Sequence, residues 1–426
     1  MTEPIEAVII GAGNRGHRAY GRYAAEHLGD RLRFVAVAEP RDDRRTRFGE
    51  LHGIPPNRQF RSWQDLVAQG PLGRAAINTT MDRTHLVSTE ALLETGYDVL
   101  LEKPMATRAQ DCVDLVRLAR EAGRRVVVCH VMRYAPYFQR VREIVTSGRL
   151  GDLVSIDWRE NLSFRHFAHS FVRGNWGNSE RSAPMILAKC SHDLDFLFWL
   201  VGRRAERVAS FGSLTHFTPE RALPDMPARC TDGCPHSDTC LWYAPRVYIS
   251  DDTPDFMKDP VSLDHSPEGM LQGLRTGPYG RCVYRCDNDV VDHQVLSLDF
   301  GHGLAVSMTM QGSSHVEGRT LRIDGMRATL LGDQSTGRLL VHDHLTGDTE
   351  TVRPGGGGAD QSSGHGGGDG RLLEDFVAVL RGERTEAATE AAESLESHLL
   401  AFAAEEARTT RRVVEMEHFR AALGAP

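Results

Sequence analysis

Gly11-Ala12-Gly13-Asn14-Arg15-Gly16 stands directly behind the apolar run 7–10 and opens a helix-like stretch. In that setting a GxGxxG sequence has a mechanical meaning. Gly11 permits the tight turn, Gly13 lets the backbone approach a pyrophosphate, and Gly16 lets helix pack on strand, so that the helix N-terminus around Asn14 and Arg15 faces an anion. Alone the motif is weak. It gains from Glu39, at the end of the second apolar run, where a carboxylate can accept hydrogen bonds from ribose hydroxyls and repel a 2′-phosphate. NAD is therefore the expected dinucleotide and NADP the less favoured one, although Arg41 and Arg44 stand just beyond and could draw the extra phosphate; Arg41 is counted among the cofactor contacts.

Two further groups could do chemistry. Residues 165–176, RHFAHSFVRGNW, mix polar donors with aromatic faces. That mixture suits a carbohydrate, whose hydroxyls need donors and acceptors while its C–H face stacks on a ring. His169, Arg173 and Trp176 are the expected substrate contacts, with His293 at the start of a later strand facing the same cleft. The second group is sulfur. Cys230, Cys234 and Cys240 lie in a Pro- and Asp-bearing loop, and Cys282 and Cys286 repeat the CxxxC spacing. Clustered thiolates suit a tetrahedral structural Zn²⁺ site. Cys230, Cys234, Cys240 and Cys282 are assigned as ligands, with Cys286 able to replace any one. Cys112, Cys129 and Cys190 fall in apolar or helical contexts and read as core thiols.

The elements that must position these residues follow a βαβ rhythm over the first 130 residues. Apolar strand-like runs at 7–10, 34–39, 75–78, 97–102 and 125–130 alternate with helix-like stretches, the signature of a parallel sheet. Thr107 with Gln110 makes a capping-box pattern, and Gly53, Gly96 and Gly123 stand where helices would stop. Beyond His130 the pattern changes to helical segments at about 137–147 and 185–200, an irregular Cys-bearing insertion at about 215–290, and alternating runs at 294–300 and 304–312 that read as half-buried antiparallel strands. The Gly-rich segment 354–370 reads as a flexible connection to helices at 371–382 and 389–407. The expected fold is α/β: a Rossmann domain over residues 1–130, then a substrate-binding α+β domain over 131–426 with a large, mainly antiparallel open sheet.

Composition bounds the function. A chain of 426 residues with 40% hydrophobic content can build two cores, and a net charge of -8 argues against a nucleic-acid partner. The N-terminus lacks the basic start and long apolar core of a secretory signal, and no stretch is long enough to span a bilayer, so a cytoplasmic protein without a membrane partner is expected.

The fifth strand ends in Glu102-Lys103-Pro104, and Thr79, Thr80 and His85 lie in the turn after the fourth. With His130-Val131-Met132-Arg133-Tyr134-Ala135-Pro136, with Ser191-His192-Asp193-Leu194-Asp195 and with the C-terminal helices, this set resembles the glucose-fructose oxidoreductase, inositol dehydrogenase and rhizopine catabolism (Gfo/Idh/MocA) family. The resemblance implies that Lys103, often followed by a cis peptide bond, sits beside the nicotinamide and the reacting hydroxyl. It also implies that Thr79, Thr80, His85 and Glu102 belong to the cofactor side, that Arg133 and Asp193 face substrate, and that His192 is the base. Family members often carry an aspartate one helical turn before this histidine; Ala188 stands there instead. Lys189, three residues before His192, is read as sharing its helix face and forming with it a modified proton-handling pair.

Oxidation of a carbinol needs a hydride acceptor on one side and a proton acceptor within hydrogen-bond reach of the alcohol on the other. The leading expectation is an NAD-dependent oxidoreductase acting on a secondary alcohol of a sugar, inositol or sugar derivative, with self-association into a dimer or tetramer. Two alternatives stand beside it: a glycosidase that oxidises its sugar transiently and eliminates the aglycone, and a non-catalytic NAD- or sugar-sensing regulator. Retention of both Lys103 and His192 counts against the regulator.

Overall fold

Strand β1 (Ile5–Ile10) is buried along its last four residues and lies at the centre of a parallel sheet, between β2 (Leu32–Ala38) and β4 (Ala75–Asn78). The short β3 (Gln59–Phe60) edges β2, and β5 (Asp98–Leu101) and β6 (Val126–Val128) complete the order β3-β2-β1-β4-β5-β6. Because helices cover both faces, these strands are continuous apolar runs rather than alternating ones. The computed structural model describes residues 3–354 and 365–425, so most of the Gly-rich segment 354–370 lies outside the described residues. No described helix is long and apolar enough to cross a membrane.

Gly53, Gly96 and Gly123 cap the helices Asp42–His52, His85–Thr95 and Ala109–Ala122 in the left-handed conformation, as their positions suggest. The capping box at Thr107 does not form. The helix starts one residue later, after Arg108, whose side chain makes no capping bond.

The second sheet runs β14-β13-β12-β11-β7-β10-β9-β8-β15 among the described residues. Its strands are β7 (Leu153–Ser163), β8 (Arg207–Ser213), β9 (His293–Asp299), β10 (Ala305–Ser314), β11 (Gly318–Gly325), β12 (Ala328–Asp333), β13 (Arg338–Asp343), β14 (Thr349–Val352) and β15 (Val414–Glu415). Only the β10–β7 pair is parallel, so the sheet is mainly antiparallel. Along β9 exposed and buried residues alternate, with Gln294, Leu296 and Leu298 inward, because one face packs on the helices Ser191–Val201 and Ala391–Thr410.

Two features depart from the two-part division read along the chain. The helix Gly368–Leu380 returns to the first sheet: Leu372, Leu373, Phe376 and Val377 join one apolar cluster with Ala7, Ile9, Val37 and Ile77. Each such fully buried Leu or Phe contributes roughly 1.5–3 kcal/mol. The insertion also owns a core. Its helices Ala244–Tyr248, Asp255–Lys258 and Pro267–Thr276 gather Ala244, Tyr248, Met257, Met270, Leu274 and Tyr279 into a separate apolar cluster.

Candidate active site

The turn after β1 is crowded to a degree that only glycine tolerates. Gly11 has φ +91°, and a Cβ there would lie 2.5 Å from the Thr79 carbonyl oxygen. A Cβ on Gly16 would lie 2.1 Å from the Gly11 oxygen, so the helix that opens at Arg15–Arg22 is pressed onto the turn. Thr79 reinforces this contact by donating its hydroxyl to the Gly11 carbonyl at 2.5 Å. Gly13 is different: its Cβ direction is open except for the Arg44 guanidinium at 3.5 Å, which leaves room for a ligand to approach the backbone. The Asn14 Oδ1 in the same loop is buried with no hydrogen-bond partner among the described residues. An open cradle at a helix N-terminus fits a dinucleotide pyrophosphate, and the Asn14 Oδ1, being an acceptor, suits a hydroxyl or amide donor rather than the phosphates.

Glu39, at the end of β2, is buried and accepts the amides of Ala12 (2.8 Å) and Arg41 (3.0 Å). It thereby ties the glycine loop to its neighbouring strand. The Arg41 side chain does not join the cofactor groove as expected; its guanidinium pairs locally with Asp43 at 2.6 Å in solvent.

Arg15 and Glu102, expected as cofactor contacts, bind each other. The Arg15 Nε donates to Glu102 at 2.6 Å, Arg15 Nη2 reaches Asp369 at 2.6 Å, and the Tyr20 hydroxyl donates to Glu102 at 2.6 Å. Glycine loop, β5 and the returning helix are locked together by this buried clasp. His85 also serves the frame: it is fully buried, with its ring nitrogens 2.6 Å from the Pro104 carbonyl and 3.1 Å from the Thr80 carbonyl. It bridges the turns after β4 and β5 and leaves no ring atom for the cofactor. Thr80 caps the Asn78 carboxamide at 2.8 Å.

Lys103 is the group so positioned. The Lys103-Pro104 peptide bond is cis, and Lys103 Nζ donates to the Ala188 carbonyl at 2.6 Å. Burial pushes its amine down to about 8, against the opposing pull of Glu102 and Asp82 and with help from the Lys189 charge. Asp82 went unrecognised in the sequence; its carboxylate is buried and accepts Ser182 Oγ at 2.7 Å and Trp176 Nε1 at 3.0 Å. Its place in the turn after a parallel strand, where ligands bind in open α/β sheets, is the signal that could have found it.

Lys189 and His192 do not share a continuous helix face. The chain breaks between the helices Met185–Ala188 and Ser191–Val201, and Lys189 turns instead to Glu160 (3.4 Å) and Glu317 (3.9 Å). His192 is buried, its ring 5.8 Å from that of His130, which stands 5.3 Å from His398. Burial pushes His130 well below the usual imidazole range and His398 to about 3, so both are neutral fillers behind the site. Met105, two residues past Lys103, donates its amide to His398 Nε2 at 2.9 Å.

Several expected substrate contacts are committed elsewhere. Arg133 grips Asp195 through two bonds of 2.8 and 2.7 Å and is buried. Asp193 is fully buried, held by Trp158 Nε1 at 2.7 Å and Arg319 at 3.0 Å. His169 lies 2.9 Å from the Tyr248 hydroxyl and stacks on Tyr279, and burial pushes it down to about 3. Arg173 donates to the Arg281 and Trp242 carbonyls, both at 2.7 Å, so it pegs the insertion to the second domain. His293 is exposed beside Asp292 at 2.8 Å. Of this set Trp176, through Asp82, reaches the surroundings of Lys103.

The expected four-thiolate zinc site is not shown by the structure. The antiparallel bridge Arg229–Arg281 does bring the two CxxxC segments side by side, with the Cys230 amide bonded to Gly280 and that of Cys282 to Ala228. Yet among the described residues no group of three or more His, Cys, Asp or Glu side chains is disposed to hold a metal ion, and all eight cysteines are free. Cys230 Sγ faces the Arg173 guanidinium at 3.5 Å, Cys286 donates to the Cys282 carbonyl, and burial raises the Cys240, Cys282 and Cys286 thiols.

Residues 5–130 match the model of an oxidoreductase family with an NAD-binding Rossmann fold, and residues 142–416 match the C-terminal α/β domain of the same family, Gfo/Idh/MocA. The chain belongs to that family. YteT of Bacillus subtilis (strain 168) is 26% identical over 310 residues, 69% of this chain and 70% of that protein. An inositol 2-dehydrogenase/D-chiro-inositol 3-dehydrogenase of Lactiplantibacillus plantarum is 26% identical over 174 residues, 41% of this chain and 45% of its own length. The fold is also that of an Agrobacterium radiobacter oxidoreductase whose crystal structure holds NAD+, L-tartaric acid and magnesium (TM-score 0.71, 16% identity, 98% of this chain and 99% of that one). This Gfo/Idh/MocA chain therefore pairs the family's glycine loop with a Lys103 held by a neutral carbonyl.

Proposed function

We propose that this Gfo/Idh/MocA oxidoreductase transfers a hydride between NAD and a secondary alcohol of a sugar, inositol or related polyol, with Lys103 handling the hydroxyl proton. The carrying observation is the buried Lys103 amine at about 8 with its hydrogen bond to the Ala188 carbonyl, since a proton acceptor works best when its pKa lies near the working pH. Lys189 is less suited because its side chain is turned toward Glu160 at 3.4 Å and Glu317 at 3.9 Å. Gly11, Gly13, Asn14 and Gly16 would cradle the dinucleotide, and Glu39 at the rim of β2 disfavours a 2′-phosphate. When bound, the dinucleotide supplies the hydride acceptor or donor. Lys103 removes the hydroxyl proton during oxidation and returns it during reduction. His192 supplies a second polar group on the same side, and Trp176 an aromatic face. The inositol dehydrogenase among the relatives supports a polyol substrate.

A panel of inositols, aldoses, uronic and hydroxy acids followed at the NADH absorbance, on wild type and Lys103→Met, tests the reading. Turnover of a polyol by wild type with loss in the variant supports it; equal rates in both would overturn the role of Lys103.

A further inference from the structure

The insertion does not stay with the second domain. Its short helix Asp255–Lys258 and the following turn cross to the glycine-loop helix, where Arg18 Nε reaches Asp259 at 2.7 Å and Arg18 Nη2 reaches Asp255 at 3.1 Å. His265 closes the same cluster, 2.8 Å from Asp259 and 3.6 Å from Asp255, and Arg47 stands 3.8 Å from Asp259. Asp259 is buried and Arg18 half-buried, while Asp255 is exposed, so the Arg18–Asp259 pair is the shielded bond of this latch. Between the two sides lies a narrow cavity of about 20 Å³, lined by Gly13, Asn14 and His17 on one side and by Asp259, Pro260 and Leu263 on the other, so the closed strap stands almost directly on the glycine loop.

That floor is where the glycine loop presents its amides to a pyrophosphate. The same segment is fastened at its other side. Met257 sits in the insertion's own core, and the Phe256 ring meets His166 edge-on at 5.4 Å beside the second sheet. One stretch of chain thus spans both domains and overhangs the dinucleotide groove.

We propose that residues 255–265 form a retaining strap over the dinucleotide, latched by Arg18, Asp255 and Asp259, which keeps the cofactor bound from one turnover to the next. The dinucleotide enters or leaves only when the latch opens. The inference rests on dinucleotide binding by the glycine loop and not on the identity of the alcohol.

Release of NADH is read by stopped-flow fluorescence after a chase with excess NAD+, with no alcohol present, in wild type, Arg18→Gln and Asp259→Asn. Loss of one charge-assisted bond from the latch speeds release roughly tenfold in each variant, while Asp251→Asn, at an exposed position outside the latch, releases NADH at the wild-type rate. Hydrogen exchange on the wild-type protein gives a second reading that needs no variant: amides in 255–265 exchange more slowly with NADH bound. Release rates within twofold of wild type in both latch variants, or exchange in 255–265 unchanged by NADH, overturn the strap. Because no alcohol is used, a chain that holds NADH but oxidises no polyol sinks the functional proposal while the release rates still decide this one.

Discussion

Lys103 Nζ and the Ala188 carbonyl oxygen are 2.6 Å apart, so the lysine of the Glu-Lys-Pro motif is held by a neutral acceptor. A carbonyl orients an amine without fixing its charge, which leaves burial free to lower the pKa to about 8. A carboxylate within a few ångströms would favour the ammonium form. Ala188→Asp is therefore expected to raise the Lys103 pKa and move the alkaline-rising limb of kcat/KM upward by roughly one unit or more. A limb left in place would mean that another group sets it.

In wild type that limb is expected near pH 8, with oxidation accelerating as Lys103 loses its proton. Lys103→Met should abolish the limb and lower kcat by about 10²-fold, the scale for loss of a positioned proton-transfer group, while NADH titration still shows binding. The stability sign follows from the same shift. Between about 8 and the ordinary 10.5 the unfolded chain binds the proton that the folded one has shed, so this residue's contribution to stability rises with pH across that window and is least below it. Thermal melts of wild type and Lys103→Met should then converge from pH 7 toward pH 10, with the variant ahead at pH 7.

Glu39 supports the loop through the Ala12 and Arg41 amides, and the proposed function sets its carboxylate against the ribose of the dinucleotide. Wild type is expected to bind NAD more tightly than NADP, and Glu39→Ala should narrow that difference by weakening NAD more than NADP. Calorimetric titration of both dinucleotides checks this, and a wild-type preference for NADP would overturn the assignment.

Arg15 neutralises Glu102 and Asp369, both buried. Arg15→Met removes the shared cation and leaves two carboxylates without it, which should cost roughly 3 kcal/mol or more of unfolding free energy. Urea unfolding measures the loss. A variant within about 0.5 kcal/mol of wild type would show the clasp to be dispensable.

Much of the frame could be read along the chain because it depends on local periodicity and turn chemistry. Continuous apolar runs place β1, β2, β4, β5 and β6, and Gly53, Gly96 and Gly123 end their helices where expected. The glycine loop was legible because the steric demands of one turn are written in adjacent residues, whereas Lys103 stood out only through the family resemblance that Glu102-Lys103-Pro104 carries. The second sheet was legible only in β9 and β10, where alternation is clean.

Partners distant in sequence were not legible. Nothing near Arg133 or Arg173 announces that Asp195 or the Arg281 carbonyl will take its donors, and a thiol spacing does not reveal that Arg173 will occupy the space beside Cys230. Residue type states what a side chain can bond to. Which bond it makes depends on what the packed chain brings within about 3 Å while excluding water, since a buried donor or charge must be satisfied by whatever neighbour the fold supplies. The same limit governs Lys103: the sequence by itself determined that a lysine ends the fifth strand, and only the tertiary structure, by burying it against the Ala188 carbonyl, decided that its amine can lose a proton near pH 8.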